Sequence, residues 1–244
     1  MQWGFTHMNI YHQLRILEIL VLLPIKVFYD YFRRLLLRLQ LLFGYGPENI
    51  METGLGWLLL HWKLEVFSRP GWNTKIIVKT WPRNFNRCYS CRDFEVYDEN
   101  ENLLAVASSK WVLFNFFKNS ISKVTEERAS KYKLIDKCVF GNPDFDKIKE
   151  PEGSVCTFEY TVQRRDLDMN QHVNNTNYID FAYEALPADV YESADFKNVE
   201  VMYKHELRLG DVINCFYTRL DGGECVVVIK NKENDMLNAI VKLY

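Results

Sequence analysis

The chain has 244 residues, 48% of them apolar and 25% charged, with a formal net charge of −2. That size buries one large core or two small ones. The near-neutral balance excludes the global basic excess of a nucleic-acid binder, so any charged partner has to be met by a local patch.

Residues 16–43 are rich in Leu, Ile, Val and Phe, but Glu18, Lys26, Asp30, Arg33, Arg34 and Arg38 interrupt them and Pro24 sits inside. A membrane-spanning helix needs about 20 consecutive apolar residues, and a signal peptide needs a small-residue cleavage site after its apolar stretch; neither pattern is met. Val27, Phe28, Tyr31, Phe32, Leu35, Leu36, Leu39, Leu42 and Phe43 keep helical spacing, with Pro24 suited to a first turn and Gly44 to a stop. A buried helix is the preferred reading, with a membrane-surface helix the alternative. Apolar, aromatic and β-branched runs then predict strands over 57–67, 76–81, 89–97, 103–114, 155–164, 199–207, 212–220, 225–230 and 236–243. Gly222-Gly223 predicts a hairpin turn. Residues 123–153 are charged and broken by Gly141, Pro143, Pro151 and Gly153, and read as a link between halves. A second helix runs from a cap at Asn174 or Asn175 to Pro187. Tyr178, Ile179, Phe181, Ala182, Ala185 and Leu186 wrap most of its circumference, which marks it as buried.

One buried helix followed by antiparallel strands therefore occurs twice, an α+β pattern. Laid over each other at an offset of 150, Arg15 falls on Arg165, Glu18 on Asp168, Phe28 on Tyr178 and Asp30 on Asp180. At an offset of 132, Glu101, Asn102, Ala107 and Lys110 fall on Glu233, Asn234, Ala239 and Lys242. Each match is weak; together they favour a tandem duplication. The expected division is a first repeat over 1–140, a linker over 141–153 and a second repeat over 154–244.

The sharpest polar cluster is Asp168-Met169-Asn170-Gln171-His172. In extended backbone its alternate side chains share a face, lining one wall with a carboxylate, an amide and an imidazole. Those groups suit acyl transfer: the amide donates to an oxyanion, the imidazole moves a proton, and the carboxylate orients it or acts on water. The competing reading is a polar turn leading into a helix, where Asp and Asn are common for backbone reasons. Six cysteines, at 88, 91, 138, 156, 215 and 225, read as free thiols of a reducing, cytoplasmic setting. Cys88-Tyr89-Ser90-Cys91 lacks the second ligand pair of a structural zinc site. No metal or other cofactor is expected.

The run Arg164-Arg165-Asp166-Leu167-Asp168-Met169-Asn170-Gln171-His172-Val173-Asn174-Asn175, with Tyr178-Ile179 beyond it, resembles the active-site segment of the plant and bacterial acyl-ACP thioesterases. Gly54-Leu55-Gly56-Trp57, Arg92-Asp93-Phe94 and Ala107-Ser108-Ser109-Lys110-Trp111-Val112 resemble earlier segments of the same family. The resemblance runs from about Asp30 to the C-terminus. It implies a double-hotdog fold, each unit an antiparallel sheet wrapped around a long helix. It also implies hydrolysis of fatty acyl-ACP to free acid and ACP, with catalytic roles for Asp168, Asn170 and His172. The family pattern adds a Glu-Cys pair in a later strand; here Tyr203-Lys204-His205-Glu206-Leu207 keeps the Glu but has Leu at the Cys position. Leu is no nucleophile, so water attack assisted by Glu206 and His172 is the mechanism left at that position, with direct attack by the Asp168 carboxylate the chemical alternative. In a regular strand, however, Glu206 points away from the face of Val199, Val201, Tyr203, His205 and Leu207, and needs a bulge or a strand end to reach the pocket. His205 reads as a structural strand residue. Leu20 and Leu22 fall opposite Asn170 and His172, so the first repeat is expected to shape the acyl cavity without chemistry of its own.

Acyl carrier proteins are acidic, and Lys118, Lys123 and Lys131 are the expected carrier-binding residues, within a stretch that also holds Lys110, Arg128 and Lys133. Two rival functions share the pattern: an acyl-CoA thioesterase on the same fold, and a non-catalytic acyl-binding protein. The fused units supply the pairing that one hotdog needs and leave a further homodimer open.

Overall fold

The structure, a computed structural model, describes residues 14–16, 47–70, 75–130, 132–142, 144–168, 170–193 and 195–244. The helix expected near 27–43 lies outside the described residues. The order is β1 (Leu14–Ile16), α1 (Pro47–Thr53), β2 (Leu55–Val66), β3 (Ile76–Asn86), β4 (Tyr89–Tyr97), β5 (Leu103–Asn115), β6 (Ser120–Ile121) and α2 (Glu126–Ala129). It continues with β7 (Val155–Thr161), a 3₁₀ turn (Arg164–Asp166), α3 (Asn177–Glu184), α4 (Ala188–Ser193), β8 (Asn198–Tyr203), β9 (Val212–Arg219), β10 (Cys225–Asn231) and β11 (Leu237–Leu243).

The strands form one sheet in the order β1-β3-β4-β5-β2-β8-β11-β10-β9-β7, with β6 appended to β5. Read outward from its centre, the first half runs β2-β5-β4-β3-β1 and the second β8-β11-β10-β9-β7. The two halves therefore have one topology, and Ala107 and Ala239, matched in the sequence overlay, fall on the equivalent strands β5 and β11. Antiparallel pairing of β2 with β8, from His61 opposite Met202 to Glu65 opposite Asn198, fuses them. The described residues thus form the α+β tandem hotdog arrangement.

Alternation sorts each strand. Trp62, Leu64, Phe94, Val96, Ala105 and Ala107 face inward, into one core with Tyr178, Ile179, Phe181 and Ala182 of α3 and with Val199, Val201, Val227 and Val241. In the second half α3 lies against β10 and β11, so nearly all of its faces are buried, as its composition requires. The outer face of the first half is strapped by residues 132–142 and 144–146. Trp81 Nε1 donates to Lys137 O (2.9 Å), Val139 N donates to Asp93 Oδ2 (3.0 Å), and the Phe145 ring lies 4.7 Å from that of His61. His61 and Glu200, both largely buried, meet at 2.8 Å across the β2–β8 seam.

Two glycines sit where the backbone favours glycine. Gly223, at φ 83°, turns the β9–β10 hairpin. Gly54 has φ 71°, and a Cβ there would meet the Phe117 ring at 2.6 Å, so the entry to β2 favours glycine.

Of the boundaries that differ from the sequence expectation, three bear on the site. The strand expected over 155–164 stops at Thr161. There the Asp166 carboxylate accepts from Gln163 N (2.7 Å) and from Tyr160 Oη (2.9 Å), coiling the chain into the 3₁₀ turn. The strand expected over 199–207 stops at Tyr203. The residue capping α3 is Thr176 rather than Asn174 or Asn175; Asn174 Oδ1 instead accepts from Thr176 N (3.2 Å) in the turn before it. Among the described residues no helix is long and apolar enough to cross a membrane.

If α3 is the centre of the second-half core, Ile179→Ala should lower the unfolding free energy by about 2–5 kcal/mol, the cost of a cavity in a closed core. Urea unfolding measures it, with exposed Glu192→Ala as a control expected within about 0.5 kcal/mol of the parent.

Candidate active site

The segment expected to be extended is a tight loop. Leu167 and Val173 pair as an antiparallel bridge, and Asp168 N donates to His172 O (2.8 Å). Gln171 N donates back to Asp168 O (3.1 Å), with Gln171 at φ 63°. The alternate-face argument therefore does not hold. The Asp168 carboxylate turns inward and accepts from the backbone N–H of Asn170 (2.8 Å) and, more weakly, of His172 (3.4 Å). Asp168 thus acts on its neighbours through the backbone, fixing the loop that carries them. Asn170 is exposed at the apex and His172 is partly exposed.

The outgoing limb of this loop docks on the chain that follows β8. Val173 N donates to Leu207 O (2.8 Å), and His172 bridges Arg208. This is how Glu206 reaches the site: β8 has ended, alternation no longer applies, and the Glu206 carboxylate stands 3.3 Å from His172 Nε2. The same oxygen receives Arg208 Nη2 at 2.6 Å. The side chains of His172 and Glu206 are 29% and 51% accessible; solvent screens such a pair, so it positions groups more than it stabilises the fold. Leu207 is fully buried in the core while His205 is exposed. The structure thus separates two residues that strand parity had put on one face, and His205 is not the strand residue expected.

Two residues of this site, Asn238 and Arg208, lay outside the expected motif, and a third, Asp166, lay within it without an assigned role. Asn238 of β11, 2% exposed, donates from Nδ2 to His205 O (3.2 Å) and, at 3.5 Å, to Glu206 O, and its backbone carbonyl accepts from Lys204 N (2.8 Å). It fixes the corner that turns the chain off β8. Arg208 clamps Glu206, and its spacing two residues on was the one available hint. Buried Asp166 holds the approach from below, its backbone oxygen accepting from Asn177 Nδ2 (3.0 Å) and Asn174 N (2.8 Å). Beside them, burial pushes the Tyr178 phenol well above its ordinary range, although the Leu207 backbone opposes this. Tyr178 is thus a neutral wall group.

Lys118 and Lys123 are exposed on the β5–β6 turn and just beyond it, in the first half, and Lys131 lies outside the described residues. Nothing among the described contacts joins these lysines to the His172 loop. Among the described residues no three His, Cys, Asp or Glu side chains gather as a metal site requires.

Comparison with known proteins matches residues 38–132 to the acyl-ACP thioesterase N-terminal domain and residues 149–242 to the acyl-ACP thioesterase C-terminal domain. The chain is 25% identical to oleoyl-acyl carrier protein thioesterase 2 of Arabidopsis thaliana over 188 residues, covering 73% of this chain and 51% of that protein. It is 29% identical to the palmitoyl-acyl carrier protein thioesterase of the same plant over 174 residues, 67% of this chain and 41% of that protein. The chain thus spans about half the length of these relatives. In fold it is similar to the 12:0-ACP thioesterase from Umbellularia californica, with a TM-score of 0.81 at 17% identity over 98% of both chains. It is also similar to an acyl-ACP thioesterase from Bacteroides thetaiotaomicron, with a TM-score of 0.79 at 22% identity over 91% of this chain and 89% of that one.

The Asn238 corner yields a stability prediction. Asn238→Ala should destabilise the protein by about 1–3 kcal/mol, since it removes the donor that holds the His205 and Glu206 carbonyls at the corner. Amide exchange should rise locally at 204–207, with β10 unchanged.

Proposed function

Since the chain belongs to the acyl-ACP thioesterase family, whose two domain models together match most of it, we propose that it hydrolyses the thioester of a fatty acyl-ACP, releasing free fatty acid and holo-ACP. The observation that carries this reading is the His172–Glu206 contact at 3.3 Å beside an exposed Asn170 amide on one loop. It is an acid–base pair next to a donor suited to an oxyanion.

The reaction runs as a single displacement by water. The water oxygen bonds to the thioester carbonyl carbon, and its proton passes to the His172–Glu206 pair. Negative charge gathers on the carbonyl oxygen and is met by the Asn170 side-chain amide. Collapse breaks the carbon–sulfur bond, and the leaving thiolate takes up the proton. A thiolate leaves readily, so the pair needs only modest acid strength. Asp168 is a positioning residue, holding the backbone of Asn170 and His172. Arg208 keeps Glu206 turned to the site. Leu207, fully buried and apolar, supports a route without a covalent enzyme intermediate.

The first repeat, within 1–140, shapes the acyl cavity, and the second, 154–244, carries the chemistry. Acidic ACP is steered by the exposed lysines Lys118 and Lys123, together with Lys131, an effect that weakens with salt. Six free cysteines support a reducing, cytoplasmic setting.

His172→Ala should lower kcat by about 10²–10⁴-fold, the usual share of a proton-transfer group. Asn170→Ala should lower it by about 10²–10³-fold, the share of one oxyanion donor. Thiol release from acyl-ACP and acyl-CoA panels measures both, and comparable rates on the two carriers would redirect the assignment to an acyl-CoA thioesterase. Full activity in both variants would remove His172 and Asn170 from the mechanism. Lys118→Glu combined with Lys123→Glu should raise KM for acyl-ACP at constant kcat and leave a small uncharged thioester unaffected.

A further inference from the structure

A polar cluster with two thiols lies beneath the strap, on the outer face of the first half. The register of β3 against β4 shifts between Pro82 and Asn84, and Arg83 is the residue between them. A bulge of this kind re-aims one side chain, and the buried Arg83 guanidinium reaches both β4 and the strap. Its Nε stands 3.8 Å from Asp93 Oδ1. Its Nη1 donates to Cys138 Sγ at 2.7 Å, and the same guanidinium donates to the Cys91 sulfur. Cys91 precedes Asp93 by two positions on β4, so both side chains point to this face. Lys110 lies directly across from Cys91 on β5.

The strap is pinned on either side of Cys138. Trp81 Nε1 donates to Lys137 O, and Val139 N donates to Asp93 Oδ2. These bonds hold Cys138 over the β3–β4 pair, and residues two apart on a strand are about 7 Å apart, so Cys91 is close at hand. Cys138 itself is half-buried and belongs to no helix or strand; its Sγ donates to Asn142 O at 3.3 Å.

The other cysteines sit differently. Cys156 is exposed, and its sulfur faces the Phe158 carbonyl at 3.9 Å. Cys215 is wholly buried, and burial pushes its thiol well above the ordinary range. Cys225 is buried with its sulfur 3.6 Å from Tyr217 Oη. Cys88 lies in the β3–β4 turn. Exposure alone would make Cys156 the first thiol to be oxidised. A neighbouring guanidinium, which steadies negative charge on sulfur, favours Cys138 instead.

We propose that Cys138 and Cys91 are a peroxide-responsive pair whose disulfide staples the strap to β4. The Cys138 sulfur, its proton lost to solvent, attacks hydrogen peroxide. A sulfur–oxygen bond forms, the oxygen–oxygen bond breaks, and the leaving hydroxide takes up a proton as water. The Cys91 sulfur, its proton likewise released, then attacks the sulfur of the Cys138 sulfenic acid. The sulfur–sulfur bond forms, the sulfur–oxygen bond breaks, and a second water leaves. Two thiols lose two electrons in all, and peroxide is reduced to two waters. Burial pushes the Cys91 thiol up, opposed by Arg83 and Lys110, which suits it to wait as the resolving partner. A disulfide needs Cβ atoms about 3.5–4.5 Å apart. β4 is held on both sides by β3 and β5, so the adjustment falls on the irregular strap. In a reducing setting such a bridge is transient. The staple asks nothing of the His172 site.

The test treats the full, reduced chain with hydrogen peroxide, digests it without reduction and maps the peptides by mass. The parent should yield a crosslink between Cys91 and Cys138, reversed by dithiothreitol, while the more exposed Cys156 is still free. In Cys91→Ser the sulfenic acid at Cys138 should accumulate and be trapped by dimedone. Cys138→Ser should leave Cys91 unlinked. The oxidised parent should melt about 4 °C or more above the reduced one, as expected for closing a long loop. No crosslink in the parent, a crosslink to another cysteine, or first oxidation at Cys156 overturns the proposal. So does a Tm that stays fixed or falls on oxidation. The parent's peptide map and melting decide the matter by themselves if either Ser variant fails to fold.

Discussion

The pairing of β2 with β8 is the constraint on which the rest of the molecule depends. Five residue pairs across that seam turn two half-sheets of the same topology into one sheet with one inner face and one set of register lines. A slip of one residue would exchange inner and outer side chains along the joining strands. It would take Trp62 and Val201 out of the core and part His61 from Glu200. Register at the seam also decides where β8 ends relative to the loop at 167–173, and so whether Glu206 meets His172.

The site is built from interrupted regular structure. A strand that continued through Glu206 would hold its carboxylate off the pocket. Asn238 prevents that by engaging the backbone of Lys204, His205 and Glu206 from a neighbouring strand. A loop without Asp168 would lose the acceptor for the N–H groups of Asn170 and His172. Both devices place a buried or half-buried polar group against backbone, where a missing partner costs more than a made bond returns. Reactive side chains on loops are held this way when a rigid sheet lies behind them.

Much of this was legible in the amino-acid sequence. Alternation located β3, β4, β5, β9, β10 and β11 to within a few residues at most ends, because half-buried strands must alternate. The all-round apolar character of 178–186 announced a buried helix, and the Asp168-to-His172 run marked the site. What the sequence determined alone was most of the long strands, the buried helix, their repetition and the side chains proposed to react. Only tertiary structure decided that 168–172 is a stapled loop, that β8 ends at Tyr203, that Glu206 rather than His205 turns to His172, and that Asn238 and Arg208 hold it there. The physical reason is range: periodicity reports which face a residue shows within its own element. Where an element stops is settled by hydrogen bonds from residues far away in the chain, and Asn238 lies 32 positions beyond Glu206.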